Sequence, residues 1–411
     1  MDALQRRVGV TDAVVIGLAS MIGAGVFASF APAARAAGSG LLIGLAVAAV
    51  IAYCNATSSA RLATLYPTSG GTYVYGRERL GRFWGYLAGW SFVVGKTASC
   101  AAMALTVGAY VTPEHPRLLA IAAVVLVTAV NVFGVQRSTA VTRITVAVVL
   151  VVLVLVVLAC LVGGHPSPHH LQPFPGTGVH GVLQAGGLLF FAFAGYARIA
   201  TLGEEVRDPA RTIRRAIPLA LAITLVVYGA VAIATLLAVG PARLAASGSP
   251  LRTAVAAGSW HALAPLVQVG GAVAALGALL SLVLGVSRTT FAMARDGYLP
   301  RPLAAVSARG VPAYAELAVG AVVAVLVAAV DLRGAIGFSS FGVLLYYAIA
   351  NASAWTLTPA ERRPPRWVPV IGLLGCVTLA GNLPGSSVLA GAIVTVLGTL
   401  AWLVTGRHRS P

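Results

Sequence analysis

Gly17-Leu18-Ala19-Ser20-Met21-Ile22-Gly23-Ala24-Gly25-Val26-Phe27 lies in the middle of the first long apolar run of the chain. An uninterrupted membrane helix is the simplest reading of such a run. Gly23 and Gly25 weaken helix propagation there, and neither has a side chain to pack. Inside a bilayer, backbone freed from helix hydrogen bonds survives only where protein buries it or where it lines a wet cavity. A break at this depth therefore points to a site. The half-helix starting near Gly25 aims free N–H groups at an anion, and the half ending near Ile22 aims free carbonyls at a cation. A zwitterion such as an amino acid carries both charges. The competing reading is a continuous helix whose glycines admit a close neighbour, and on this stretch alone that reading has the advantage.

The totals place the chain in lipid. Of 411 residues, 58% are hydrophobic and 9% charged, with a mean hydropathy of +0.90. A soluble domain needs more surface charge than that. About 20 apolar residues span a bilayer, and such runs recur along the whole length. No cleavage pattern for a signal peptide follows the first run, which simply begins the series.

The runs predict twelve spans. Span 1 covers 12–35, broken near Gly23, and span 2 covers 40–63. A polar, Gly- and Arg-rich segment follows from Tyr66 to Arg82. Spans 3, 4 and 5 cover 83–111, 117–135 and 141–163. Span 6, 181–203, holds a second irregular centre, Phe190-Phe191-Ala192-Phe193-Ala194-Gly195-Tyr196. The most charged stretch comes next, Glu204-Glu205-Val206-Arg207-Asp208-Pro209. Spans 7 to 10 cover 216–239, 263–293, 313–330 and 335–357. A basic linker, Glu361 to Arg366, leads to spans 11 and 12, 367–383 and 386–405. The interrupted spans are the first and the sixth, so each opens a block of five. An odd number of spans inserts the second block upside down. The divisions are therefore 1–163, 164–358 and 359–411: two inverted repeats followed by two extra helices. Inverted repeats with discontinuous first helices place a site at mid-membrane, between the breaks. The pairing of the breaks reverses the preference for a continuous helix.

The net charge of +17 raises the question of nucleic acid. On these spans, 21 of the 28 Lys and Arg fall at one face of the membrane and five at the other; Lys96 and Arg198 lie within spans. That is the positive-inside pattern, so nucleic acid is excluded as a partner and both termini are expected in the cytoplasm. Cys54, Cys100, Cys160 and Cys376 all sit in apolar runs without paired spacing, which suits packing. His165, His169, His170 and His180 lie in a Pro- and Gly-rich loop without metal-ligand spacing. No metal or cofactor is expected.

Four stretches resemble one known family. They are Gly17 to Phe27; Tyr66-Pro67-Thr68-Ser69-Gly70-Gly71-Thr72-Tyr73-Val74-Tyr75 with Gly85-Tyr86-Leu87-Ala88-Gly89-Trp90; Phe190 to Pro209; and Ser287-Arg288 through Ala292-Met293-Ala294-Arg295-Asp296-Gly297-Tyr298-Leu299-Pro300. Ser340-Phe341-Gly342, Tyr346-Tyr347 and Asn351 add to them. Together they resemble the amino acid–polyamine–organocation (APC) permeases, in particular the bacterial amino acid permease branch. The resemblance implies an all-α polytopic membrane protein with the LeuT-type five-plus-five inverted repeat and twelve transmembrane helices. It implies uptake or exchange of amino acids by alternating access across the cytoplasmic membrane.

The resemblance also implies site residues. The substrate carboxylate would lie on N–H groups of Gly23, Ala24 and Gly25. The α-amine would lie on carbonyls around Ala19, Ser20 and Ile22 in span 1, and around Phe191 and Ala194 beside Gly195 in span 6. Phe193 or Tyr196 would act as a gate ring, although core packing is an equally good reading of either aromatic. Backbone groups would read what every amino acid shares and leave side chains to select among them.

Lys96 falls near the middle of span 3, over ten residues from the nearest interface, too far to snorkel. An ammonium there costs several kcal/mol and is a functional hypothesis by default. Some relatives carry a lysine in the fifth helix, where it stands in for sodium; here that region reads Val146-Ala147-Val148-Val149-Leu150. Lys96 is expected to supply the coupling instead, as a proton carrier or as a fixed charge in an exchanger. Sodium coupling is disfavoured because Ala278-Leu279-Leu280-Ser281-Leu282 lacks adjacent hydroxyls. Ala197 stands where many relatives have an acid, and Arg198 adds positive charge. Neutral amino acids are therefore preferred over a cationic amino acid or polyamine antiporter. Glu204 and Glu205 suit a charge cluster with Arg207, Arg211 or Arg214. A membrane-embedded enzyme lacks convergent catalytic groups, and a channel lacks a ring of selecting side chains.

Overall fold

Apolar runs bounded by glycine, proline and charge wind into helices, because in hydrocarbon each backbone polar group needs a partner within its own segment. The computed structural model describes residues 8–67, 70–134, 139–200, 206–307, 310–361 and 363–406. In order, the helices are α1 (Val10–Met21), α2 (Ala24–Ala28), α3 (Phe30–Ala37), α4 (Leu41–Leu65), α5 (Thr72–Leu80), α6 (Arg82–Val111), α7 (Pro116–Val132), α8 (Thr139–Leu161) and α9 (Val179–Phe193). They continue with α10 (Ala197–Ala200), α11 (Pro209–Ala246), α12 (Pro250–Ala256), α13 (Ala264–Arg295), α14 (Ala313–Ala329), α15 (Leu332–Trp355), α16 (Trp367–Gly381) and α17 (Gly385–Gly406). Among the described residues the one β contact is an isolated bridge between Val8 and Val206.

Among the described residues, nine helical stretches are long and apolar enough to cross a membrane, and three shorter apolar helices, α7, α14 and α16, lie where spans 4, 9 and 11 were expected. Apolar side chains remain exposed on the outward faces, such as Val148, Val151 and Val154 on α8 and Leu397 and Leu400 on α17. A lipid bilayer is the solvent that tolerates such a surface.

Two stretches depart from the sequence reading. The segment between spans 2 and 3 holds a helix, α5. It is bounded by Gly71 and Gly81, whose φ angles of 56° and 103° an L side chain rarely adopts. The Thr72 N–H donates to the Tyr346 hydroxyl at 3.0 Å, which satisfies one orphan donor of that helix. The seventh span continues past its expected end, with a kink at Gly240 (φ 73°) before Pro241.

The core centres on α6, which packs against α13, α15, α5, α7 and α17. Small residues permit the closest of these crossings. A Cβ on Gly342 of α15 would lie 2.9 Å from the Gly95 Cα on α6, so the two backbones touch. Behind α15, a buried polar knot ties three helices. Ser58 Oγ donates to Asn351 Oδ1 (2.7 Å), Asn351 Nδ2 to Asn55 Oδ1 (2.6 Å), and Asn55 Nδ2 to Cys376 Sγ (3.3 Å). All four cysteines are buried and free.

Candidate functional site

The first helix breaks where its glycines predicted. α1 ends with the Ile22 N–H on the Leu18 carbonyl at 2.7 Å. Gly23 then turns out of the helix (φ −72°, ψ −131°) and α2 starts at Ala24 with no side-chain cap. Both glycines are required by contact. A Cβ on Gly23 would lie 2.6 Å from the Ala278 Cβ on α13, and one on Gly25 would lie 2.7 Å from the Ala192 Cα on α9.

The sixth span changes winding at the corresponding place. After α9 the chain makes a 3₁₀ turn, Ala194–Tyr196, before the short α10. Gly195 lies directly on the peptide joining Ser20 to Met21; a Cβ there would meet the Ser20 carbonyl and lie 2.6 Å from the Met21 N. The two irregular segments therefore touch backbone to backbone and run antiparallel, Ser20 at Gly195 and Gly25 at Ala192.

Three side chains from other helices meet carbonyls at this junction. The Tyr228 hydroxyl on α11 sits between the carbonyls of Met21 (2.5 Å) and Ala192 (3.1 Å). The Tyr347 hydroxyl on α15 donates to the Ala194 carbonyl at 3.2 Å. Lys96, at the midpoint of α6 and 6% exposed, donates from Nζ to the same carbonyl at 3.3 Å. A buried ammonium thus lies at an acceptor expected to serve a substrate amine. Carbonyl dipoles supply its compensation, and Cys100 lies one turn away on the same face of α6.

The aromatics close over this point. Tyr196 stacks on Tyr347 with centroids 5.0 Å apart, Phe193 tilts against Tyr228 at 5.2 Å, and Phe190 meets Tyr347 edge-on at 5.8 Å. Phe191 is buried beside them, and Phe193 and Tyr196 are fully buried. The Tyr196 hydroxyl has no hydrogen-bond partner among the described residues. Ser20 Oγ is taken by the Ile16 carbonyl (3.0 Å), which leaves the Ser20 main chain to act.

On the other side of the break, Ala19, Ile22 and Gly23 open on a cavity of about 30 Å³, shared with α8 and α13. That holds one water or one small ion, well short of an amino acid. Its hydroxyls come from Thr142, Thr145 and Ser281. Thr145 donates to the Val141 carbonyl (2.9 Å) and Ser281 to the Gly277 carbonyl (3.1 Å), so both oxygens keep lone pairs. Val146 and Val149 line it where some relatives carry a lysine.

The structure thus gathers Ala19, Ser20, Ile22, Gly23, Gly25, Ala194, Gly195, Tyr196 and Lys96 at one junction. Arg198 is half-buried on α10. Glu204 and Glu205 lie outside the described residues. Among the described residues no group of three His, Cys, Asp or Glu could hold a metal. Tyr228, Thr142 and Thr145 were not anticipated. Tyr228 was detectable as the one aromatic side chain in the apolar run 216–239. The threonines carry no such signal, because helical threonines ordinarily bond their own i−4 carbonyl.

The amino acid permease family's sequence model matches residues 12–405. An uncharacterized transporter of Mycobacterium tuberculosis (strain ATCC 25618 / H37Rv) is 65% identical, over 99% of this chain and 94% of the relative. A branched-chain amino acid permease and a methylthioribose transporter, both of Bacillus subtilis (strain 168), are each 26% identical. They cover 98% and 99% of this chain, and 92% and 95% of the relatives. With its membrane-length apolar helices, this chain is a transporter and an integral membrane protein, and it belongs to the amino acid permease family.

Proposed function

We propose that this chain is a secondary active transporter that moves neutral amino acids across the cytoplasmic membrane by alternating access. The carrying observation is the antiparallel apposition of two interrupted helices, Ser20 at Gly195 and Gly25 at Ala192, with Lys96 on the Ala194 carbonyl. In this reading the fold is the LeuT-type five-plus-five repeat with twelve spans, divided at 1–163, 164–358 and 359–411, and both termini are cytoplasmic.

The substrate carboxylate takes N–H groups of Gly23, Ala24 and Gly25. Its ammonium takes carbonyls of Ala19, Ser20, Ile22, Phe191 and Ala194. Phe193 and Tyr196 enclose the side chain and exclude water. Lys96 reaches one of the same acceptors, so its charge and the substrate's charge compete. Entry of a substrate ammonium favours a Lys96 that loses its proton or swings away. Either event couples binding to a second process, proton movement or exchange. Sodium is not required.

Neutral substrates fit a junction that already contains a buried cation held by a carbonyl and by no described carboxylate. A cationic amino acid or polyamine would add like charge beside Lys96, at a cost of several kcal/mol in a buried site. The branched-chain permease among the relatives makes leucine the first probe.

Purified protein in liposomes loaded with unlabelled leucine should accumulate radiolabelled leucine by counterflow, with saturation. Replacing sodium by choline should leave the rate unchanged. Flux without saturation or counterflow would fit a channel and defeat the carrier reading. A sodium requirement would defeat the coupling assignment and direct attention to Thr142, Thr145 and Ser281.

A further inference from the structure

We propose that Glu316 is a proton-binding site, loaded in the conformation described here and unloaded when water reaches the ends of α7, α13 and α14. Glu316 sits four residues into α14 with 0% exposure. Among the described residues, neither carboxyl oxygen has a hydrogen-bond partner that meets the distance and angle of a formed bond. The polar side chains facing it are Asn131 on α7 and Ser287 on α13; the Ser287 hydroxyl proton is committed elsewhere, and so is one of the two amide hydrogens of Asn131. Ser287 Oγ donates to the Val283 carbonyl (2.7 Å) and Asn131 Nδ2 to the Leu280 carbonyl (3.4 Å). The surroundings add polarity without satisfying it. Thr128 Oγ1 on α7, packed against Gly320 one turn along α14, is also buried without a partner.

An ionised carboxylate so placed carries a desolvation penalty larger than what its polar neighbours return. The first turn of a helix favours negative charge only weakly by comparison. Burial wins, and the neutral acid is the species that fits this enclosure. The charged and titratable groups on the packed elements are few. Among the described residues, Cys100 on α6 and Arg288 on α13 act on Glu316; the others on these elements are Arg82, Tyr86, Lys96 and Tyr110 on α6, Arg295 on α13, Arg301 on the 3₁₀ turn Arg301–Ala304 and, on α7, Arg117 at the opposite end. Arg288 is exposed. Once water enters, it favours the carboxylate. Glu316 then passes its proton to water as H₃O⁺ and becomes the carboxylate; reclosure reverses the step.

This site is separate from the α1/α9 junction and uses none of its residues. Its role in transport rests on the carrier reading above, whereas its protonation does not. The test has two arms. Infrared spectra of purified protein at pH 7 should contain the carbonyl stretch of a protonated carboxylic acid, and E316Q should lack it. Identical wild-type and E316Q spectra in that region overturn the proposal. Should E316Q fail to fold, Glu316→Asp should move the band, and an unmoved band overturns it. In liposomes, E316Q should keep leucine counterflow and lose acceleration by an inward proton gradient. Unaltered acceleration overturns the transport role. If the wild type moves no amino acid, the carrier reading fails while the infrared arm still decides the proton site.

Discussion

Gly195 lies on the Ser20–Met21 peptide so closely that a methyl group cannot fit between them. The contact joins the two places where membrane helices lose regular winding. It leaves Tyr228, Tyr347 and Lys96 to occupy carbonyls there. Gly195→Ala should push the sixth span off the first. Overpacking of this kind costs about 1–3 kcal/mol, so the protein should fold with a lowered melting temperature and lose leucine counterflow. Normal counterflow from a folded G195A protein would mean that the contact is not part of the transport machinery.

Lys96 is the one described Lys or Arg buried at mid-helix beside this contact. Lys96→Met keeps the length of the side chain and removes the charge. Leucine flux in K96M should become independent of a pH gradient or stop altogether. Lys96→Arg should not rescue the pH response, because a guanidinium does not release its proton. A pH profile unchanged in K96M would remove Lys96 from the coupling mechanism.

Glu361 ties the linker before α16 to α5. Its carboxylate pairs with Arg79 and accepts from the Thr358 N–H (2.8 Å), and Arg61 Nε donates to the Glu361 carbonyl at 2.5 Å. The Arg79 hydrogen bond holds the carboxyl down at about 2. A depressed value means that stabilisation is present above the unfolded carboxylate range, near 4.3, and is lost as pH falls through about 2. The gap in melting temperature between wild type and Glu361→Gln should stay constant from pH 8 to 5 and shrink below pH 4. A gap that changes between pH 7 and 6 would show another group in control.

Asn351 is the hinge of the buried knot among α4, α15 and α16. Asn351→Leu leaves the Ser58 hydroxyl without its acceptor and the Asn55 Oδ1 without its amide donor, at about 1–3 kcal/mol for each orphaned group, and adds bulk where Gly372 already touches the amide. Thermal unfolding should begin well below that of wild type. Asn351→Ser should fall in between. Transport by whatever protein folds should keep its substrate preference, since the knot lies outside the proposed site.

Much of this was legible in the chain itself. Apolar run length gave the membrane helices, because hydrocarbon demands about 20 residues of internally bonded backbone. Gly23, Gly25 and Gly195 marked the breaks, because glycine lowers helix propensity wherever it stands. Local motifs gave the family, whose sequence model matches residues 12–405. The segment from Tyr66 to Arg82 misled, because its polarity hid a short helix held by Gly71, Gly81 and the Tyr346 hydroxyl.

Composition and periodicity determined that this is a helical membrane protein with two weak points in its winding. Which groups meet at those points required the tertiary structure. Lys96 and Ala194 are 98 positions apart, and Tyr228 and Met21 are 207 apart; no local preference records such pairs. Glu316 near the start of a helix reads from sequence as an ordinary first-turn acid. Its isolation from water arises from the packing of α6, α7 and α13 around it, and burial is a property of neighbours that a chain acquires only on folding.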